Sequence, residues 1–117
     1  METETRLFET GATRDADDSK LDYEGFISPL VWTRFAEYMH KCRTRNVPPG
    51  QTMRSSDNWQ KGIPLDAYMK SGFRHFMDWW FGHRWDLVDE EALCALLFNV
   101  QGYLHEMLKK RLINGTL

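Results

Sequence analysis

The segment DEEALCALLFNVQGYLHEMLKK (Asp89–Lys110) decides the fold class. Its apolar residues recur every three or four positions, which is the period of an α-helix and not the alternation of a strand. The main apolar stripe consists of Leu93, Leu96, Leu97, Val100, Leu104 and Met107. Acidic residues at the start and basic residues at the end suit the helix dipole. We therefore expect helix three over about 87–112, starting at Asp86 or Asp89.

Two further helices precede this segment. Ser28-Pro29 is a typical helix start, and the apolar periodicity that follows predicts helix one over 29–44. Pro64 can open helix two, which we expect to end at Gly82. The sequence thus predicts an all-α fold in one domain of residues 1–117. Three helices form a small bundle, with an irregular N-terminal arm (1–26) and a long loop between helices one and two (45–63).

Composition excludes several classes of protein. The 117 residues carry a formal net charge of -2, which argues against general nucleic-acid binding. The longest apolar run, Ala92–Phe98, is too short to span a membrane, and the N-terminus METETRLFET has no apolar stretch typical of a secretory signal. Cys42 and Cys94 lie far apart without the close pairing of a zinc site, so we expect reduced thiols and a cytoplasmic protein.

Four residues of the last two helices are candidates for function. Arg74 and Asp78 share a helix face and form either a surface ion pair or part of a site. His75 and Asn99 lie at the margins of the apolar stripes of helices two and three. Each is either a satisfied residue at the edge of the core or a ligand-binding group, since a half-buried amide must find partners.

The aromatic content is high, with five tryptophans, seven phenylalanines and four tyrosines. Core packing is the simplest explanation, but Trp59 in the loop and Trp79-Trp80-Phe81 at a helix end cannot all face one small core. Aromatic rings near cations can stack on a nucleobase or on a partner surface. The basic residues that could then contact phosphate are Arg14, Lys20, Arg54, Lys61 and Arg74.

Helix three has a second side that is also apolar or small. Cys94, Phe98, Gln101 and His105 lie there, next to Ala95 and Gly102. Since a surface helix needs only one apolar stripe, we expect this side to form a subunit interface in a homo-oligomer. Burial beneath the N-terminal arm is the alternative.

Taken together, the motifs resemble a known family. They are FETGATRD (Phe8–Asp15), Lys20 and Asp22, DNWQKGIP (Asp57–Pro64), Ser71 with Arg74-His75, Trp79 or Trp80, Gly82, Asp86, and LLFN (Leu96–Asn99). The chain resembles, over roughly residues 8–105, the phage-type dATP/dGTP diphosphohydrolase N-terminal domain, a relative of the MazG-like all-α nucleotide pyrophosphohydrolases.

The resemblance implies a helical protein that handles purine nucleotides in a phage setting, and hence in the host cytoplasm. MazG-like enzymes bind Mg²⁺ through ExxE and ExxD pairs on two helices. Here helix two has only Asp66 and Asp78, and helix three has Asp89-Glu90-Glu91 at its start and Glu106 far along. We therefore predict no catalytic and no metal-binding residues, and no cofactor.

Three functions follow, in order of preference. The first is nucleotide binding without turnover, extending to sequestration of a host nucleotide signal as a counter-defence. The second is a Mg²⁺-dependent purine (d)NTP pyrophosphohydrolase, and the third is a protein-binding module that uses the surplus aromatic residues. The predicted pocket lies where the arm and the loop close over helix two. Its ligand-binding residues are Arg14, Lys20, Asn58, Trp59, Lys61, Arg74, His75, Trp79 and Asn99.

In this pocket Arg14, Lys20 and Lys61 would contact phosphate, and Trp59 or Trp79 would stack on the base. His75 and Asn99 would face each other across one cleft. His75 would donate to phosphate, and Asn99 would contact the base edge or the ribose.

Overall fold

The computed structural model describes residues 5–15 and 20–116, so residues 1–4, 16–19 and 117, which include part of the predicted arm, lie outside the described residues. Three helices dominate the described chain: α1 (Pro29–Cys42), α2 (Leu65–Arg84) and α3 (Glu90–Ile113). Two short strands, β1 (Thr5–Leu7) and β2 (Thr13–Asp15), precede them. The predicted all-α class is confirmed. The chain divides into two compact units, one ending at Trp32 and the other beginning at Thr33.

The first unit is more ordered than the irregular arm that the sequence predicts. β1 and β2 pair antiparallel, with Arg6 opposite Arg14. The hairpin turns through Gly11, whose φ of 87° is the left-handed conformation that glycine adopts without steric cost. Three-residue strands are too short to show a period-two pattern, which is why the sequence did not indicate them. The predicted start of α1 is confirmed, since the Ser28 hydroxyl accepts a hydrogen bond from the Val31 amide at 3.2 Å.

In the second unit, α2 and α3 form an antiparallel pair. Tyr68 contacts the Gly102 position and Gly72 the Asn99 position, so rising residue numbers on α2 meet falling numbers on α3. Both glycines are buried. Because they lack side chains, the two helix backbones approach each other closely along this line.

The turn between α2 and α3 corrects one predicted helix end. Gly82 lies inside α2, which continues to Arg84. The carbonyl of Gly82 accepts the Leu87 amide at 2.7 Å, and a Cβ on Gly82 would lie 2.7 Å from the Leu87 carbonyl oxygen. Glycine is therefore required here because the chain that follows α2 returns too close to leave room for a side chain, and not because the helix ends at this residue. Helix α3 then begins after Asp89, whose carboxylate caps it by accepting the Glu91 amide at 2.9 Å.

Charged side chains connect α1 to the start of α3. Arg34 Nε donates to Glu90 Oε1 at 2.7 Å, and the Lys41 ammonium donates to the Glu91 carboxylate. The Cys94 thiol lies 4.0 Å from the Arg34 carbonyl oxygen. These contacts place α1 over the side of α3 that carries Cys94.

The buried residues of the second unit are mostly small. They include Cys42, Ala92, Cys94, Ala95 and Asn99, with Tyr68 as the large exception. Phe98 and His105 are half-buried under Trp59, with ring centroids 6.0 and 4.7 Å from the indole. The side of α3 predicted to form a subunit interface is thus covered from within the chain, by α1, Trp59 and Tyr68.

Leu93, Val100, Leu104 and Met107 of the main stripe are solvent-exposed instead. Among the described residues, no helix combines the length and the hydropathy needed to cross a bilayer.

Candidate functional site

A cavity of about 470 Å³ lies between the C-terminal half of α1 and the loop that joins α1 to α2. Its polar lining residues are His40, Arg43, Arg45, Asn46, Arg54, Ser55, Ser56 and Asn58. No aspartate or glutamate belongs to the lining. A volume of this size is typical of small-molecule sites. In a protein whose net charge is -2, this cavity is a local concentration of positive charge.

Two arginines build the basic part of the cavity lining by joining the loop to α1. The Arg54 amide donates to the Arg43 carbonyl at 2.8 Å, and Arg43 Nε donates to the Arg54 carbonyl at 2.7 Å. Arg54 Nη2 also donates to the carbonyl of Cys42, the last residue of α1, at 2.7 Å. A cation at this position suits the negative end of the helix dipole. These hydrogen bonds fix both guanidinium groups on the cavity wall.

Arg54 retains an unused donor. Its Nε atom is buried and makes no hydrogen bond within the described part of the chain. A buried donor without a partner costs about 1–3 kcal/mol, so an acceptor that reached it would gain this energy. Because Arg54 is half-buried, its charge is also less screened than that of a surface arginine.

Tyr38 and Arg45 lie at the boundary between this cavity and a smaller one of about 250 Å³. The smaller cavity is also lined by His75, Asp78, Asp89, Glu91 and Ala92. Burial raises the pKa of Tyr38 to about 12, the neighbouring Cys42 thiol acts in the same direction, and Arg45 opposes both. The phenol therefore keeps its proton at neutral pH and remains a hydrogen-bond donor beside Arg45.

Part of the cavity lining is apolar and aromatic. Trp59, Ile63 and Phe98 belong to it, and Asn58 lies beside Trp59 at the start of a short 3-10 helix (Asn58–Lys61). The edge-to-face contacts of Trp59 with Phe98 and His105 hold the indole in place. The lining thus combines basic side chains with a fixed aromatic ring.

The predicted ligand-binding residues are distributed over several places. Asn58 and Trp59 line the basic cavity. Arg14 lies in β2 and Lys20 is exposed, and both belong to the first unit. In the second unit, Lys61, Arg74 and Trp79 are exposed and lie outside the cavity lining.

His75 and Asn99 do not share a cleft. The Nδ1 atom of His75 lies 3.8 Å from the Asp78 carboxylate, at the wall of the smaller cavity. Asp78 thus lies beside His75, whereas the helix spacing predicts that Asp78 pairs with Arg74. Asn99 lies at the floor of a different groove, between α2 and α3, and its amide donates to the Ala95 carbonyl at 2.7 Å. The two side chains therefore lie in different cavities and contact different partners, Asp78 for His75 and the Ala95 carbonyl for Asn99.

The sequence analysis missed most of the basic wall. Arg43 and Arg45 have a sufficient local explanation as cations at a helix C-terminus, so neither stands out when it is considered alone. Ser55 and Ser56 are typical loop residues, so the sequence does not indicate that they line a cavity. The feature of the sequence that indicates a basic wall is the recurrence of arginine at 43, 45 and 54, on either side of Pro48-Pro49-Gly50. In the structure, hydrogen bonds between Arg43 and Arg54 bring these two ends of the loop together.

The carboxylates of the described residues do not assemble into a metal site. No group of three or more histidine, cysteine, aspartate or glutamate side chains within residues 5–15 and 20–116 is placed to hold a metal ion. Glu106, the isolated acidic residue of α3, pairs with Lys109 at 3.1 Å.

Comparison with known proteins gives no further guidance, because no family model, curated protein or solved structure matches the chain. The resemblance to the dATP/dGTP diphosphohydrolase N-terminal domain stays a prediction from the sequence. The geometry of the cavity is therefore the basis for a functional conclusion.

Proposed function

We propose that this protein binds a nucleotide, or a small ligand derived from one, in the basic cavity and does not hydrolyse it. The observation that carries the proposal is the lining itself: three arginines, a histidine and two serines, with no carboxylate. Guanidinium and hydroxyl groups are the usual protein partners of phosphate oxygens. A neighbouring carboxylate would repel the same oxygens.

The aromatic residues of the lining support a nucleotide over a simple phosphate. Trp59 and Phe98 line the cavity, and an indole offers a flat surface on which a base can stack. Asn58 adds an amide that can donate to and accept from a base edge. A ligand with an anionic end and a flat aromatic end would match both parts of this lining.

Binding without turnover is favoured because the carboxylates of the smaller cavity, Asp78, Asp89 and Glu91, are among the described residues that form no group able to hold a metal ion. Hydrolysis in the MazG-like manner needs carboxylates that hold Mg²⁺ against the phosphates, and the residues lining the cavity supply none. A protein that binds and does not turn over its ligand lowers the free concentration of that ligand. This is the physical basis for sequestration of a nucleotide signal in a phage-infected host.

The test is calorimetry with a ligand panel, followed by analysis of the released molecule. The panel contains purine ribo- and deoxyribonucleoside triphosphates, cyclic dinucleotides and cyclic ADP-ribose, with adenosine and inorganic phosphate as controls. We expect a nucleotide to bind more tightly than either control, and binding to weaken as salt increases. Chromatography after denaturation should return the ligand intact. A new product in the presence of Mg²⁺ would establish the pyrophosphohydrolase alternative instead.

Arg45 is the best residue for a variant, because the hydrogen bonds that join the loop to α1 use Arg43 and Arg54 and not the Arg45 side chain. A hydrogen bond to a charged group contributes about 1.5–3 kcal/mol. Arg45→Ala should therefore raise the Kd of the identified nucleotide by roughly tenfold to a hundredfold.

Two matched arginine variants locate the site. Arg74→Ala tests the position favoured by the sequence, and Arg84→Ala is a control at the exposed end of α2. Both should bind like the wild type. If Arg74→Ala weakens binding and Arg45→Ala does not, the ligand lies along α2 and the basic cavity is not the site.

A further inference from the structure

One face of the α2–α3 pair is apolar and open to solvent. Eight large side chains form this apolar face, and their exposed fractions range from 36% for Leu93 to 62% for Phe73. They are Met69, Phe73, Phe76 and Trp80 of α2, and Leu93, Val100, Leu104 and Met107 of α3. Six of them line a groove of about 520 Å³, whose floor includes Tyr68 and Asn99. Monomeric soluble proteins rarely expose a continuous apolar patch of more than a few hundred Å².

The spacing of the exposed residues is that of a helix-packing seam. Positions 69, 73, 76 and 80 of α2 alternate steps of four and three, and so do 93, 97, 100, 104 and 107 of α3. This is the pattern by which helices pack side by side in bundles. An antiparallel helix pair that carries one such seam on each helix is half of a four-helix bundle.

The exposed area matches the requirement of a dimer. Aromatic side chains have roughly 150–250 Å² to bury, and the five aliphatic side chains of this face have less, so the eight side chains, each about half exposed, offer at most roughly 600–800 Å² per copy. Two copies would remove up to about 1,200–1,600 Å² from water, which is the standard size of a stable protein–protein interface.

We propose that a second copy of this chain covers the apolar face, so that two α2–α3 pairs form a four-helix bundle across a two-fold axis. The face can pair with itself because each helix contributes four exposed residues along a seam of the same spacing, which the half-buried Leu97 completes on α3. The sequence analysis also predicts a homo-oligomer through α3, but on the side of Phe98. We place the contact on the opposite side of the helix, because Phe98 is packed against Trp59 and Tyr68 of its own chain.

This interface leaves the basic cavity free. Phe98 lines the cavity and Val100 lies on the apolar face, and two residues correspond to about 200° around a helix. The cavity and the dimer contact therefore occupy opposite sides of α3. A dimer would carry two such cavities facing away from its centre. Because the two surfaces are separate, dimerisation should not depend on ligand binding.

The experiment is light scattering coupled to size exclusion on the full chain at several concentrations. The wild type should have the mass of a dimer. Leu104→Glu places a charge in the middle of the apolar face and should give a monomer. Leu112→Glu is the matched control, since Leu112 is also an exposed leucine, near the end of the same helix but outside the groove lining. It should remain dimeric.

A wild-type monomer at about 100 µM would overturn the proposal. A dimer that survives Leu104→Glu would also overturn it, because another surface would then hold the copies together. If Leu104→Glu loses its helical circular dichroism, bismaleimide crosslinking of Val100→Cys, with Leu112→Cys as control, gives the answer on the folded protein. Cys42 and Cys94 are buried and should react slowly. Crosslinked dimer through position 100 supports the proposal, and its absence contradicts it.

Discussion

The Tyr68 ring of α2 packs directly against Gly102 of α3. Tyr68 is 2% exposed, and a Cβ on Gly102 would lie within 3.0 Å of its ring. The phenol hydroxyl is buried without a hydrogen-bond partner in the described chain, and burial beside Glu106 raises its pKa. The ring is thus fixed by the backbone of the opposite helix, and the separation of the two helices depends on a glycine at position 102.

Gly102→Ala should therefore destabilise the protein, although alanine is the better helix former. The added methyl group cannot be accommodated without moving a buried ring, and overpacking of this kind costs about 1–3 kcal/mol. Urea denaturation measures the change.

Gly72→Ala is the comparison for this variant, because its Cβ would lie 3.3 Å from the Asn99 Cβ, a contact that a small shift relieves. Its effect should be near zero. Equal stabilities for the two variants would mean that the Tyr68 ring can move aside.

At the scale of the elements, helix ends depend on single capping groups. The Asp89 carboxylate accepts the Glu91 amide at 2.9 Å, and it follows a turn in which Asp86 adopts a φ of 56°. Aspartate is one of the few residues besides glycine that adopts the left-handed conformation, but its Cβ makes this less favourable than it is for glycine. Capping by Asp89 therefore helps to hold a turn that is unfavourable in itself.

Asp89→Ala should lower the free energy of unfolding by about 1 kcal/mol, the usual contribution of a side-chain N-cap. Asp57→Ala is a suitable control, because Asp57 precedes a 3-10 helix but its side chain makes no capping hydrogen bond. The control should change stability by less than about 0.5 kcal/mol. Chemical denaturation of both variants at one protein concentration decides the matter. Similar losses in both would show that the Asp89 hydrogen bond contributes nothing.

The helices could be predicted because their signals are local. Ser28 and Asp89 mark the starts of α1 and α3 through their capping side chains, and apolar periodicity marks the bodies. Gly82 misled the prediction because a glycine needed for close approach and a glycine after a helix end look the same in a sequence. Which side of α3 is buried could not be predicted, since both sides are apolar and the outcome depends on where Trp59 packs.

Only part of the cavity lining could be predicted from the sequence. Asn58 and Trp59 stand out because a tryptophan in a long loop needs an explanation, and both line the cavity. Arg43 and Arg45 do not stand out, because the end of a helix already accounts for them. Arg43 is held in the lining by its hydrogen bond to Arg54, eleven positions along the chain, and a contact of this kind leaves no local signal in the sequence.

At the scale of the whole molecule, the second unit has few large buried side chains. Its buried residues are mainly alanine, cysteine and glycine, while many leucine, phenylalanine and methionine side chains are exposed. Hydrophobic stabilisation scales with the apolar area removed from water. An important share of the free energy of unfolding should therefore come from the association of two copies of the chain.

The thermal midpoint of the wild type should consequently rise with protein concentration. For a protein that folds as a dimer, a hundredfold increase in concentration stabilises the folded state by about 2.7 kcal/mol of dimer. This corresponds to a shift of several degrees for a chain of this size. Calorimetry at low and high concentration measures it, and Leu104→Glu should show a midpoint that does not change. A constant wild-type midpoint would argue against coupled folding and association.

Because of the hydrogen bonds between Arg43 and Arg54, the shape of the cavity does not depend on the length of the loop. They close the loop at its base, while Pro49, Gly50, Gln51 and Thr52 at its tip are exposed and outside the lining. The entropy of closing a loop grows only with the logarithm of its length, by about 0.6 kcal/mol per doubling. Residues around Gly50 can therefore gain an insertion, an affinity tag or a fluorophore, and homologous chains can differ in length there, while the arginine wall keeps its geometry.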